Sequence, residues 1–170
     1  MLTIAFIGFR GSGKSTLGKW LAEELGVQFV DTDDEILKHL ECESVTQAWE
    51  KVGEKGWREA ELLLIPELLN RNGVIALGGG APMIPAVSKA LSGVPVVFNL
   101  TADTESTQSR ISEGSDRPKL SEGDLDIRLK RLGTYAMLGT FGIDTSGDIS
   151  ESKSKILHFL NHGSTHIHKK

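Results

Sequence analysis

The stretch GFRGSGKST, Gly8 to Thr16, follows directly on the apolar run Leu2 to Ile7. A short apolar segment stopped by glycine reads as a buried parallel strand. Behind it, Lys14 to Leu25 puts Leu17, Leu21, Ala22 and Leu25 on one face of a helix that Gly26 stops. Between the two stands Gly8-x-x-x-x-Gly13-Lys14-Ser15, a complete phosphate-binding loop pattern. The chemistry needs these residue types. Glycines at 8, 11 and 13 let backbone N–H groups turn inward around phosphates without Cβ collisions. Lys14 extends an ammonium to the β- and γ-phosphates, and Ser15 offers a hydroxyl to Mg²⁺. Ser12 and Thr16 complete the cradle, and the helix adds its positive N-terminal dipole. The competing reading is a glycine-rich turn with an exposed lysine. The strand before and the amphipathic helix after favour the phosphate loop. A nucleoside triphosphate with Mg²⁺ is therefore expected, but the loop alone does not separate a kinase from an ATPase or GTPase.

The rest of the chain alternates strand and helix signals. Val27 to Val30 reads as a second strand, followed by the acidic run Asp31, Asp33, Asp34, Glu35 and a helical pattern through Leu40. A longer helical region covers about Val45 to Asn70. Val74 to Leu77 is a strand ending in Gly78-Gly79-Gly80, and Val94 to Leu100 is a fourth. Thr101 is expected to cap a helix over about Asp103 to Ile111. Residues 112–124 read as a mobile loop, 125–138 as a helix, 141–144 as a final strand and 149–160 as the last helix. Such alternation means βαβ units. The expectation is one α/β domain over 1–161: a three-layer fold, with a parallel sheet of about five strands, helices on both faces and a lid near 112–124. Residues 162–170 are expected to fray.

Bulk properties exclude several classes. A net charge of −4 and a pI of about 5.7 argue against nucleic acid as the main partner. No apolar run approaches ~20 residues, so no membrane span is expected. The N-terminus lacks the basic region and cleavage pattern of a signal peptide, and the single cysteine, Cys42, fits a reducing compartment. A cytoplasmic location is expected. Cys42 reads as a packing residue. His158, His162 and His166 recur every four residues, but Gly163 breaks the helix before His166, which argues against a metal site.

If the loop holds phosphate, an acceptor must lie beyond neighbouring strand ends. Asp31 and Asp33 share a face if their strand continues. One could bind Mg²⁺ through water and the other could accept hydrogen bonds from a substrate hydroxyl. The plainer alternative is that they cap the next helix. Three consecutive glycines suggest backbone that approaches a ligand closely, or simply a loop. Arg58 and Glu61 are one helical turn apart. Either they form a solvated ion pair or Glu61 aims Arg58 at an anion. Arg117 suits a lid, and Arg131 could supply a second positive group.

These segments together resemble the shikimate kinases, a group of small P-loop kinases. GFRGSGKST matches the family's ATP loop and FVDTDDEI its acidic segment. GEKGWREAE matches Gly-Glu-x-x-Phe-Arg-x-x-Glu with Trp57 in place of Phe. ALGGGAP matches the triple glycine, SDRPKL the lid Arg-Pro, and RLGTY the family's Arg four residues before Tyr. The resemblance spans Ile4 to about Leu160. It implies transfer of the γ-phosphate of ATP to the 3-hydroxyl of shikimate, with Mg²⁺. It assigns Asp33, Arg58, Gly79, Gly80 and Arg131 to shikimate, and Ser15 and Asp31 to the metal. Lys14 and Arg117 would serve the phosphates, Arg110 the adenine side, and Asp144-Thr145-Ser146 would flank the adenine. Lys14, Asp33 and Arg117 would carry the catalysis. The enzyme is expected to act as a monomer. The chain departs from the family pattern at Leu77, where Thr is usual, and at Leu132-Gly133-Thr134, which lacks a proline. The alternatives are a gluconate or nucleoside-monophosphate kinase, or a non-catalytic nucleotide-binding relative.

Overall fold

The computed structural model describes residues 2–103, 106 and 124–163. Arg110, Arg117 and most of the expected lid lie outside these residues, as do 164–170. The strands are β1 (Thr3–Gly8), β2 (Phe29–Asp31), β3 (Gly73–Ala76), β4 (Val96–Thr101) and β5 (Phe141–Asp144). The described helices are α1 (Lys14–Leu25), α2 (Thr32–Leu40), α3 (Val45–Leu69), α4 (Pro85–Leu91), α5 (Asp124–Leu138) and α6 (Ile149–Gly163). The five strands form one parallel sheet in the order β2-β3-β1-β4-β5.

The continuous apolar run of β1 is explained by burial on both faces. Ala5 and Ile7 face one core with Ile65, Leu69, Val87, Leu91, Tyr135 and Leu138, from α3, α4 and α5. Ile4 and Phe6 face the opposite core with Leu17, Leu21 and Ile156, from α1 and α6. This is the expected three-layer arrangement. A third, smaller core joins Ile36, Cys42, Ala48, Trp57 and Ala60 beneath α2 and α3. Cys42 is buried there, as a packing residue would be. Among the described residues, no helix is long and apolar enough to cross a membrane.

Several boundaries differ from expectation for local reasons. Val27 lies beyond α1 but closes its C-terminal cap, its N–H donating to Ala22 O behind the left-handed Gly26. Hence β2 starts only at Phe29. Pro95 has no N–H to give to a ladder, and β4 starts at Val96. Thr101 is the last residue of β4, and Asp103 Oδ1 accepts from Ser106 N at 2.6 Å; the helix expected over about 103–111 lies mostly outside the described residues. α3 is broken at Gly53 (φ 68°, ψ −179°), so the long helical region is two helices. The helix α4 is absent from the reading above, and α6 continues to Gly163. At Leu132-Gly133-Thr134, where no proline interrupts, α5 runs unbroken to Leu138.

Candidate active site

The carboxyl ends of β1, β2 and β3 bring the candidate residues together. Gly8, Gly11 and Gly13 all have positive φ, at 142°, 77° and 94°. The loop thus uses backbone that other residues rarely adopt. Lys14 Nζ donates to Gly8 O at 3.0 Å and to Phe9 O at 2.7 Å, arching over the loop it follows. Beside it, Ser15 Oγ donates to Asp31 Oδ2 at 2.5 Å.

Asp31 is the last residue of β2 and also the N-cap of α2, accepting from Asp33 N at 3.0 Å. The strand therefore does not continue. Asp33 lies in the first helical turn, not on a strand face shared with Asp31. The cap turns the chain so early because an Asp carboxylate satisfies the first free amide at once. Capping and site chemistry coexist at Asp31. Burial pushes its carboxyl above the usual range, and the Ser15 hydrogen bond offsets this in part.

The three glycines each meet a different partner. Gly78 N donates to Thr32 Oγ1 at 3.0 Å, which fastens the segment to α2. A Cβ at Gly78 would come within 2.5 Å of Asp33 Oδ1, so the Asp33 carboxylate lies against this backbone. Gly79 abuts the phosphate loop: a Cβ there would be 3.5 Å from Gly8 O and 3.8 Å from Arg10 N. Its carbonyl accepts from the Tyr135 hydroxyl. At Gly80, a Cβ would come within 2.5–2.8 Å of the Arg58 guanidinium. At Gly78 and Gly80 a side chain would collide with Asp33 and Arg58, whereas at Gly79 a Cβ would make only ordinary contacts.

Arg58 Nη1 donates to Glu61 Oε2 at 2.5 Å. Glu61 is only 1% exposed, so the solvated-pair reading is wrong. Burial raises the Glu61 carboxyl above its ordinary range, and Arg58 works against that shift. Arg58 keeps 31% exposure and is also 3.7 Å from Glu54. Its guanidinium is thus held from below by a buried carboxylate and open above. Arg131 stands beside the Tyr135 hydroxyl. Its Nε is buried and has no hydrogen-bond partner among the described residues. Burial pushes the Tyr135 hydroxyl up to about 12, so it stays a neutral donor at pH 7. The Phe9 ring packs edge-on against it at 5.2 Å.

On the other side of the loop, a cleft of about 210 Å³ is lined by Ser12, Gly13, Thr16, Leu17, Thr145 and Gly147, among others. It opens between the start of α1 and the β5–α6 connection. Sequence reasoning did not single out Thr32. Tyr135 entered only through the resemblance, although its spacing of four from Arg131 puts both on one face of α5. Leu77, the departure from the family's Thr, is 1% exposed and packs in the core with Ile75 and Val87.

A family model described as shikimate kinase matches residues 10–161. The chain belongs to the shikimate kinase family. It is 35% identical over 167 residues to the shikimate kinase of Pelotomaculum thermopropionicum, covering 94% of this chain and 96% of that one. To the shikimate kinase of Caldicellulosiruptor bescii it is 38% identical over 133 residues, 78% of this chain and 77% of that one. Among solved structures, shikimate kinase from Acinetobacter baumannii in complex with shikimate superposes with a TM-score of 0.84. The two are 29% identical, over 96% of this chain and 94% of that one. The family assignment sets aside the gluconate- and nucleotide-kinase readings. It also makes the chain an ATP-dependent kinase of aromatic biosynthesis, as shikimate kinases are.

In a shikimate kinase the approach of Arg58 to Gly80 has a testable consequence. Gly80 has ordinary right-handed backbone angles (φ −84°, ψ −21°), so alanine is allowed there conformationally. The added methyl must instead move the guanidinium, which is the far end of a flexible side chain. Gly80→Ala is expected to raise KM for shikimate by about tenfold, the scale of one weakened charged contact. KM for ATP should hardly move. An unchanged shikimate KM would show that Arg58 does not work from the position described.

Proposed function

We propose that the acceptor pocket of this kinase is the space bounded by Asp33, Arg58, the Gly78–Gly80 backbone and Arg131. The convergence of those residues beyond β2 and β3, next to Lys14 and Ser15, carries the reading. Shikimate offers one carboxylate and three hydroxyls. Arg58 and Arg131 suit the carboxylate, since a planar guanidinium can bind it through two parallel hydrogen bonds. Asp33 suits the 3-hydroxyl: it accepts a hydrogen bond from it and takes its proton as the oxygen attacks the γ-phosphorus. ADP leaves on the opposite side. Phosphoryl transfer through a loose transition state depends mainly on positioning and charge. The loop amides and Lys14 supply the charge at the phosphates. Arg117 and Arg110, outside the described residues, are proposed for the ATP phosphates and the adenine side, and residues 144–146 for the adenine's other flank.

The Ser15 hydroxyl and the Asp31 carboxylate fit Mg²⁺. Both are hard oxygen donors, they meet beside the lysine end of the phosphate loop, and Mg²⁺ takes few protein ligands when substrate phosphates complete its shell. Mg²⁺ held there would neutralise charge on the β- and γ-oxygens. Asp31 is half-buried and accepts from Ser15 Oγ and Asp33 N, and its burial-raised carboxyl would be relieved by a cation beside it.

The test is ADP release coupled to a spectrophotometric assay, with Mg²⁺-ATP and either shikimate, gluconate or a nucleoside monophosphate. Turnover is expected with shikimate alone. Turnover with another acceptor and none with shikimate would overturn the assignment of the pocket.

A further inference from the structure

The Thr145 hydroxyl points at the phosphate loop. It is 4% exposed, and its Oγ1 donates to Ser12 O at 2.8 Å, with Thr101 O as the alternative acceptor at 3.1 Å. These residues are 133 positions apart in sequence, so the bond ties the end of β5 to the centre of the loop. Ser12 is itself fully buried, with its N–H on Phe9 O at 3.2 Å.

The carbonyl direction matters because peptide units are planar. The chain has no cis peptide bond among its described residues, so the Gly13 N–H must point opposite to the Ser12 carbonyl. A hydroxyl that captures Ser12 O on the β5 side therefore turns the Gly13 N–H away from β5 and towards the inside of the loop. Gly13, at φ 94°, carries no side chain to resist rotation of that peptide. Without an anchor, the 12–13 unit could flip and present its carbonyl oxygen to a phosphate, which would repel it.

We propose that Thr145 is a positioning residue for phosphate binding: its hydroxyl fixes the Ser12–Gly13 peptide so that the Gly13 amide donates to the nucleotide's phosphate oxygens. This rests on reading the loop as the phosphate site. It goes beyond a place for residues 144–146 beside the adenine, because the hydroxyl acts on the phosphate end of the nucleotide.

Two probes separate the ends. Mg²⁺-ATP carries base and phosphates, while Mg²⁺-tripolyphosphate carries phosphates only. Calorimetric titration of Thr145→Val, which keeps the volume and removes the hydroxyl, is expected to show affinity for both probes reduced by the same factor, about five- to tenfold. KM for shikimate should stay at the wild-type value, and Thr145→Ser should restore both affinities. Loss of ATP affinity with tripolyphosphate unaffected would place the hydroxyl's role at the base and overturn the proposal. So would equal losses in Thr145→Val and Thr145→Ser, which would indicate packing of the methyl. If Thr145→Val does not fold, Thr145→Ala compared with Thr145→Ser carries the same contrast. A wild-type protein that binds neither probe would sink the phosphate-loop reading itself, and the proposal with it.

Discussion

Asp33→Asn is expected to lower kcat by about a hundred- to ten-thousandfold, the span typical of a lost general base. KM for shikimate should change little. Asparagine keeps the size of the side chain and can still hydrogen-bond a hydroxyl, but it cannot take the proton. The backbone at this position is fixed independently of the side chain, because Asp33 N–H is held by Asp31 in the capped first turn of α2. The substitution therefore tests chemistry and not folding. Steady-state kinetics under saturating Mg²⁺-ATP, with shikimate binding measured separately, decide it. A loose transition state asks little of a base, so a near-unchanged kcat is a physically sensible opposite outcome. It would make Asp33 a residue that orients the hydroxyl and nothing more.

The second large effect belongs to Arg58. Arg58→Ala is expected to raise KM for shikimate by at least about a hundredfold, since breaking a charged pair with one partner buried costs about 2–5 kcal/mol. KM for ATP should stay within about twofold, because the nucleotide side of the loop shares no described contact with Arg58. Stability should also fall, for a separate reason. Removing the guanidinium leaves Glu61, 1% exposed, as a buried carboxylate without its nearest cation. The double substitution Arg58→Ala with Glu61→Gln separates the two consequences. It should recover thermal stability, since the buried charge is gone, and leave shikimate binding as weak as before. Recovery of shikimate binding in the double variant would mean that Arg58 serves the fold only.

Much of this was legible in the sequence, and the exceptions share a cause. β1, the phosphate loop and α1 announce themselves because glycine placement and apolar period are local properties. The order of the strands and of the described helices other than α4 followed from the same signals. Spacing could place Glu61 one turn from Arg58 but could not say that the core under α3 would close over it. The end of β2 at Asp31 depended on a cap competing with an extended strand, and acidic residues serve either. The break at Gly53 was hidden because one glycine inside a helical pattern is usually tolerated. Thr32 reaching Gly78, Tyr135 reaching Gly79 and Thr145 reaching Ser12 are bonds across 46, 56 and 133 positions. No local pattern encodes the far end of such a bond. The resemblance to a family narrowed the roles of Asp33, Arg58 and Arg131, while the structure supplied the reason for glycine at 78 and 80.

The strand order β2-β3-β1-β4-β5 leaves the phosphate loop on the central strand, with the ends of β2 and β3 to one side and β5 to the other. On the proposed assignment, substitutions near 58–61 and 78–80 are expected to alter which alcohol is accepted without disturbing how the common phosphate donor is gripped, while Asp31, bonded to Ser15, belongs with the donor side. A descendant of such a chain could therefore change its acceptor by drift on one flank of the sheet, while the other flank stays fixed by a nucleotide that does not change.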